Sequence, residues 1–128
     1  MTEAWTRSTN RSDRVRGPAL DAAEAAGVTV LTISSDQKCF CAGADLAMVK
    51  TMFASADPQA EMASYVVDLH RLFDRLERFP AVTVAAIGGP AMGGGLELAL
   101  CCDLRVVSST AKLGLPEAAV GLFPAAGG

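Results

Sequence analysis

Ala91-Met92-Gly93-Gly94-Gly95-Leu96-Glu97-Leu98-Ala99-Leu100 sets three consecutive glycines at the head of an apolar run that carries one carboxylate. Glycines leave backbone N–H groups unshielded, so another group can approach them closely. The apolar run predicts a helix, which puts those N–H groups at its positive end, where negative charge is favoured. Glu97 then lies in the first turn, an acid–base group beside an anion-binding corner. A Gly-rich turn before a buried helix also occurs without any chemistry, so the weight of this reading comes from two other segments.

The first is Phe40-Cys41-Ala42-Gly43-Ala44-Asp45-Leu46, preceded by the β-rich run Val28–Ile33 and the polar turn Ser34–Lys38. Gly43 lets the chain bend out of an extended segment, and Asp45 is a good N-cap for a helix beginning at Leu46. That bend leaves the Ala44 N–H free to face a ligand. The second is Lys112-Leu-Gly-Leu-Pro116-Glu117, followed by Val120-Gly-Leu-Phe-Pro124. Pro116 biases Leu115 to extended structure, and Glu117 opens the next element at a strand end.

Around these segments the pattern alternates strand and helix. Pro18–Ala26 reads as a short helix feeding the strand at Val28. Met62, Tyr65, Val66, Leu69, Leu72, Phe73 and Leu76 keep the 3.6-residue period and predict an amphipathic helix over 62–79, ended by Pro80. Ala81–Ile87 and Leu104–Val107 read as strands. Short links between such elements predict an α/β fold with mainly parallel pairing. No tandem repeat or low-complexity tract interrupts it.

Composition sets the outer bounds. The chain has 128 residues, of which 51% are hydrophobic, enough for one domain with a real core. Its net charge is −3, with no basic run beyond Arg7, Arg11, Arg14 and Arg16, which speaks against a nucleic-acid partner. No apolar stretch reaches the length of a membrane span without a Gly or Pro break. Residues 1–17 lack periodicity and read as a loose tail; Glu3 and Asp13 argue against a transit peptide. Cys39-x-Cys41 and Cys101-Cys102 lack zinc spacing and histidine support, so buried free thiols in a reducing cytoplasm are expected. Asp103 and Arg105 are candidates for a structural pair at a strand start. Met48, Met52 and Met62 read as core or pocket lining, and His70, beside the apolar stripe, as a boundary residue.

Taken in order, FCAGADL, GGGLELALCCDLRV and AKLGLPEAAVGLFPAAGG closely resemble the crotonase (enoyl-CoA hydratase/isomerase) superfamily over about residues 27–128. The resemblance implies a spiral of ββα units, here incomplete at both ends because family members are roughly twice as long, with residues 18–128 as a partial core domain. It implies an acyl-CoA thioester substrate, lined by Ala42, Gly43, Ala44, Asp45, Leu46, Gly93 and Gly94. The backbone N–H groups of Ala44 and Gly94 would form the oxyanion hole, and Glu97 and Glu117 would be the catalytic pair. The implied reaction is syn addition of water to trans-2-enoyl-CoA, giving 3-hydroxyacyl-CoA. No metal or redox cofactor is implied, since coenzyme A arrives with the substrate. Δ3-Δ2 enoyl-CoA isomerisation is the same-fold alternative, and an inactive fragment serving as an interaction module is the other. Family members form homotrimers or hexamers. A chain lacking the family's covering segments is expected to expose apolar surface, self-associate and turn over weakly.

Overall fold

The computed structural model of the chain describes residues 17–127, so most of the expected tail and Gly128 lie outside the described residues. Helix α1 (Pro18–Ala25) carries Pro at its first position, where the missing N–H costs nothing. Strand β1 covers Val30–Ile33 rather than starting at Val28. The Val28 N–H instead turns back to the Ala23 carbonyl at 3.4 Å and closes the end of α1. Helix α2 (Leu46–Phe53) begins where expected: Asp45 Oδ1 accepts the N–H groups of Ala47 at 2.8 Å and Met48 at 3.4 Å. Helix α3 (Pro58–Glu77) starts a turn before Met62 because Asp57 caps it, accepting the Ala60 N–H at 3.0 Å. Strands β2 (Val82–Ile87) and β3 (Ala91–Met92), helix α4 (Gly94–Leu100), strands β4 (Leu104–Val107) and β5 (Leu113–Gly114), and a 3₁₀ turn at Glu117–Val120 complete the order.

These elements form two parallel sheets. One runs β1-β2-β4, with Leu31 opposite Thr83 and Ile87 opposite Val107; the other pairs β3 with β5, Ala91 opposite Leu113. An isolated parallel bridge joins Cys41 to Ala91 on the far side of β3. Each pass of the chain therefore gives one strand to each sheet and then turns into a helix: β2-β3-α4, then β4-β5 and the 3₁₀ turn. This is the expected α/β spiral of ββα units.

Leu31, Ala85 and Ile87 from the first sheet pack with Phe73 and Leu76 of α3 and with Leu98 and Ala99 of α4, so the helix and strands bury one another as their periodicity implied. At its deepest point the core holds a hydroxyl. Thr83 is fully buried; its N–H and its Oγ1 both donate to Asp103 Oδ2 at 2.7 Å, and Oγ1 accepts the Asp103 N–H at 2.9 Å. Arg105 turns away to the carbonyls of Ala99, Leu100 and Cys102 at the end of α4, where a cation is favoured. The expected Asp103–Arg105 pair is thus replaced by two clasps, one on each side of the α4–β4 junction. Across the molecule, Arg75 ties α3 to Asp21 and Glu24 of α1.

The Asp103 carboxyl is held below the usual carboxylate range, first by the Thr83 N–H and then by its hydroxyl. The folded state therefore binds that proton more weakly than the unfolded chain does. The clasp's stabilisation is complete above the ordinary carboxylate value of about 4 and is lost as the pH falls through it toward the lower folded value. Asp103→Ala is expected to lower the melting temperature clearly at pH 7, with the gap to wild type narrowing by pH 3. A gap of the same size at both pH values would contradict this account.

All four cysteines are free, but only Cys101 and Cys102 are buried; Cys39 and Cys41 lie on the loop that borders β3 and are partly exposed. Burial pushes the Cys101 thiol up to about 12 and the Cys102 thiol up to about 11, so both stay protonated at neutral pH.

The opposite face of the β1-β2-β4 sheet is apolar and open. Val30 and Val82 are paired neighbours on it, 49% and 45% exposed, and beside them Leu104 and Val106 are 55% and 66% exposed. Burying such surface yields roughly 25 cal/mol per Å². The chain is expected to self-associate at micromolar concentration, and Val106→Lys on the edge strand to shift it toward monomer. Light scattering during size exclusion measures this; a monodisperse wild-type monomer would contradict the expectation.

Candidate active site

Three segments far apart in sequence meet at one turn. Phe40 and Cys41 both donate N–H groups to the Pro90 carbonyl, at 2.9 and 3.3 Å, and the Met92 N–H donates to the Cys41 carbonyl at 2.9 Å. The loop carrying Ala42–Asp45 is thereby strapped beside β3. On the other side, Ala91 and Gly93 donate to the carbonyls of Lys112 and Gly114, each at 2.9 Å. That lays β5 alongside, and its continuation through Leu115 and Pro116 delivers Glu117.

The approach is close enough to demand glycine at several points: a Cβ on Gly95 would clash with the Cys41 carbonyl, and Gly43 and Gly93 add a positive φ. Gly43 has φ +87°, and a Cβ there would lie 2.9 Å from the Met92 carbonyl oxygen and 3.2 Å from the Gly94 nitrogen. Gly93 has φ +54° and ψ −131°, and a Cβ there would lie 2.6 Å from Glu117 Oε1. Both positions combine a left-handed φ with a backbone or carboxylate neighbour that leaves no room for a side chain.

The two carboxylates border consecutive residues of this turn. Glu117 Oε1 faces the Gly93 position, and Glu97 Oε2 lies 3.8 Å from where a Cβ on Gly94 would be. Glu97 is only 4% exposed, and its Oε1 accepts the Ala126 N–H at 2.8 Å. Glu117 is half-buried, and its Oε2 is buried with no hydrogen-bond partner among the described residues. Leaving such an oxygen unsatisfied costs roughly 1–3 kcal/mol. A native chain that keeps it there calls for a reason, and a ligand group supplies one.

Two main-chain donors accompany the carboxylates. Gly94 opens α4, so its N–H has no acceptor within the helix. Neither it nor the Ala44 N–H donates to another group among the described residues. The Gly43 contact with the Gly94 nitrogen places the two amides on adjoining stretches of chain. Of the other expected lining residues, Ala42 and Leu46 are exposed on the rim, and Asp45 spends its carboxylate on the cap of α2.

Ala126 and His70 had no role in the sequence reading. The Ala126 contact to Glu97 is made by the main chain, which carries no side-chain signature, and the His70 Nε2 contact to the Ala125 carbonyl spans 55 positions. Among the described residues no cluster of three or more His, Cys, Asp or Glu could hold a metal ion, and no helix is long and apolar enough to cross a membrane.

The parallel ββα turns agree with comparison to known proteins: the chain belongs to the enoyl-CoA hydratase/isomerase family, whose model matches residues 18–128. It is 45% identical over 100 residues to the Mycosarcoma maydis enoyl-CoA isomerase/hydratase fer4, covering 77% of this chain and 35% of that protein. It is 49% identical over 102 residues to the human mitochondrial enoyl-CoA hydratase domain-containing protein 2, covering 79% and 33%. Among solved structures, Pseudomonas aeruginosa DspI matches with a TM-score of 0.75 and 37% identity over 96% of this chain and 48% of its own. An enoyl-CoA hydratase from Polaromonas matches with a TM-score of 0.76 and 33% identity over 83% and 41%. The chain thus has the crotonase fold and spans about a third of the length of the curated relatives named here.

Proposed function

We propose that this site performs enoyl-CoA hydration, the addition of water to trans-2-enoyl-CoA to give 3-hydroxyacyl-CoA. The observation that carries the reading is the orphaned Glu117 Oε2 beside a second carboxylate, Glu97, at the same glycine turn. Hydration needs both an acid and a base within reach of two neighbouring carbons, and two carboxylates in one corner meet that need.

The thioester carbonyl oxygen sits against the Ala44 and Gly94 N–H groups. Glu97, steadied by the Ala126 N–H, takes a proton from water as the water oxygen bonds to C3. The C2=C3 electron pair moves onto the thioester, and the enolate oxygen is stabilised by the two amides, each worth on the order of 10²–10³ in rate. Glu117, with no donor facing Oε2, delivers a proton to C2. The proton on Glu97 then passes back to Glu117, so the net change is one water added. The route uses the protein, the coenzyme A thioester and one water. Double-bond migration, by contrast, adds no water.

Crotonyl-CoA mixed with excess protein in a single turnover tests this even when turnover is slow. Formation of 3-hydroxybutyryl-CoA above the buffer rate is expected. Exclusive interconversion of 2-enoyl and 3-enoyl thioesters would overturn the hydratase reading in favour of an isomerase.

A further inference from the structure

His70 sits on the exposed side of α3, three residues before the buried Phe73 that anchors that helix in the core. Its Nε2 lies 2.5 Å from the carbonyl oxygen of Ala125, and the N–H of the following residue, Ala126, donates to Glu97 Oε1 at 2.8 Å. That carbonyl and that N–H belong to a single peptide group, which is planar and stiff about its C–N bond. Imidazole, peptide and carboxylate therefore form one continuous line from a helix surface to the most buried acid of the site.

A carbonyl oxygen only accepts, so Nε2 carries the hydrogen. The neutral Nε2–H tautomer and the imidazolium both satisfy the contact, which does not depend on the ring's charge. A donor on the carbonyl side polarises the peptide and strengthens its N–H as a donor on the other. The contact also has little redundancy. After the Leu122 N–H returns to the Glu117 carbonyl at 3.0 Å, the two bonds of the Ala125–Ala126 peptide are the hydrogen bonds that tie Phe123–Gly127 down among the described residues.

We propose that His70 is a positioning residue: it fixes the Ala125–Ala126 peptide and through it holds Glu97 in the orientation that accepts the proton from water. The catalytic half of this inference rests on the hydratase reading above, and the positional half does not.

Amide hydrogen exchange at Ala126, with crotonyl-CoA kinetics alongside, separates the two. In His70→Ala the Ala126 amide is expected to exchange about tenfold faster, the loss of one ordinary hydrogen bond, while the Ala99 and Cys101 amides keep their protection. His70→Gln, whose side-chain N–H reaches toward the same carbonyl, is expected to restore most of that protection. In kinetics, His70→Ala is expected to lower kcat several-fold with KM little changed, and His70→Gln to recover it. Unchanged Ala126 exchange in His70→Ala, or faster exchange that Gln does not rescue, would overturn the proposal. Altered exchange with kcat untouched in a protein that hydrates crotonyl-CoA would overturn its catalytic half. Altered and rescued exchange in a protein that does not hydrate crotonyl-CoA would support the contact and count against the hydratase reading instead.

Discussion

Glu117→Gln and Glu97→Gln are each expected to slow crotonyl-CoA hydration by at least about 10², the low end of what a positioned acid or base contributes. Gln keeps the shape of Glu and removes its ability to exchange a proton, so the loss reports chemistry rather than packing. The two variants should differ in stability. Glu97 is buried and accepts the Ala126 N–H, and the Gln carbonyl oxygen can still accept it, although one amide orientation would set two N–H groups against each other. Glu117 Oε2 has no partner to lose among the described residues, so Glu117→Gln is expected to melt close to wild type. Single-turnover assays paired with thermal melts check both statements; near-normal turnover in either folded variant removes that residue from the mechanism.

Gly94→Pro is the second large effect. It deletes one of the two amides assigned to the enolate oxygen, and hydration is expected to fall by about 10² or more. Gly94 is the first residue of α4, the position where helices tolerate proline best. Gly94→Ala is the matching control: its Cβ would stand 3.8 Å from Glu97 Oε2 and 3.9 Å from the Gly43 Cα, ordinary contact distances, and its N–H remains. Alanine is therefore expected to cost far less than proline. Circular dichroism must show the fold retained in both. Equal, mild effects of the two substitutions on folded protein would remove the Gly94 amide from the site.

What the sequence disclosed follows from the range of the interaction involved. The Asp45 cap, the α3 stripe ending in Phe73 and Leu76, and the apolar runs of β2 and β4 are local patterns with a fixed period, and each appears at or near its expected place. Helix α3 began earlier than its stripe because Asp57-Pro58 is a start signal independent of the apolar period. The two-residue strands β3 and β5 are too short to show any alternation and exist because main-chain partners fall into register. The half-cover of Met62, Tyr65 and Val66 was equally illegible, since a stripe reports which face is apolar but not whether anything lies over it.

The site divides in the same way. Gly43, Gly93, Glu97 and Glu117 were legible because glycine marks turns and close backbone approaches, each carboxylate stands out in an apolar stretch, and the ordered motifs tied them together. Their convergence required the Cys41, Met92 and Gly114 main-chain bonds, which no residue type announces. The Ala126 and His70 contacts belong to that class as well, and so do the Thr83 clasp on Asp103 and the Arg105 turn toward α4.

The most direct measurement is one incubation of the protein with crotonyl-CoA in heavy-oxygen, deuterated water, followed by mass spectrometry and stereochemical analysis of the thioester. The expected product is 3-hydroxybutyryl-CoA carrying one heavy oxygen at C3 and one deuterium at C2, added to the same face, with labelled product forming at least about 10² more slowly in the Glu97→Gln and Glu117→Gln reactions. A wild-type product that gains deuterium without heavy oxygen, or no labelled product beyond the buffer control, would contradict the assignment of these two glutamates to hydration.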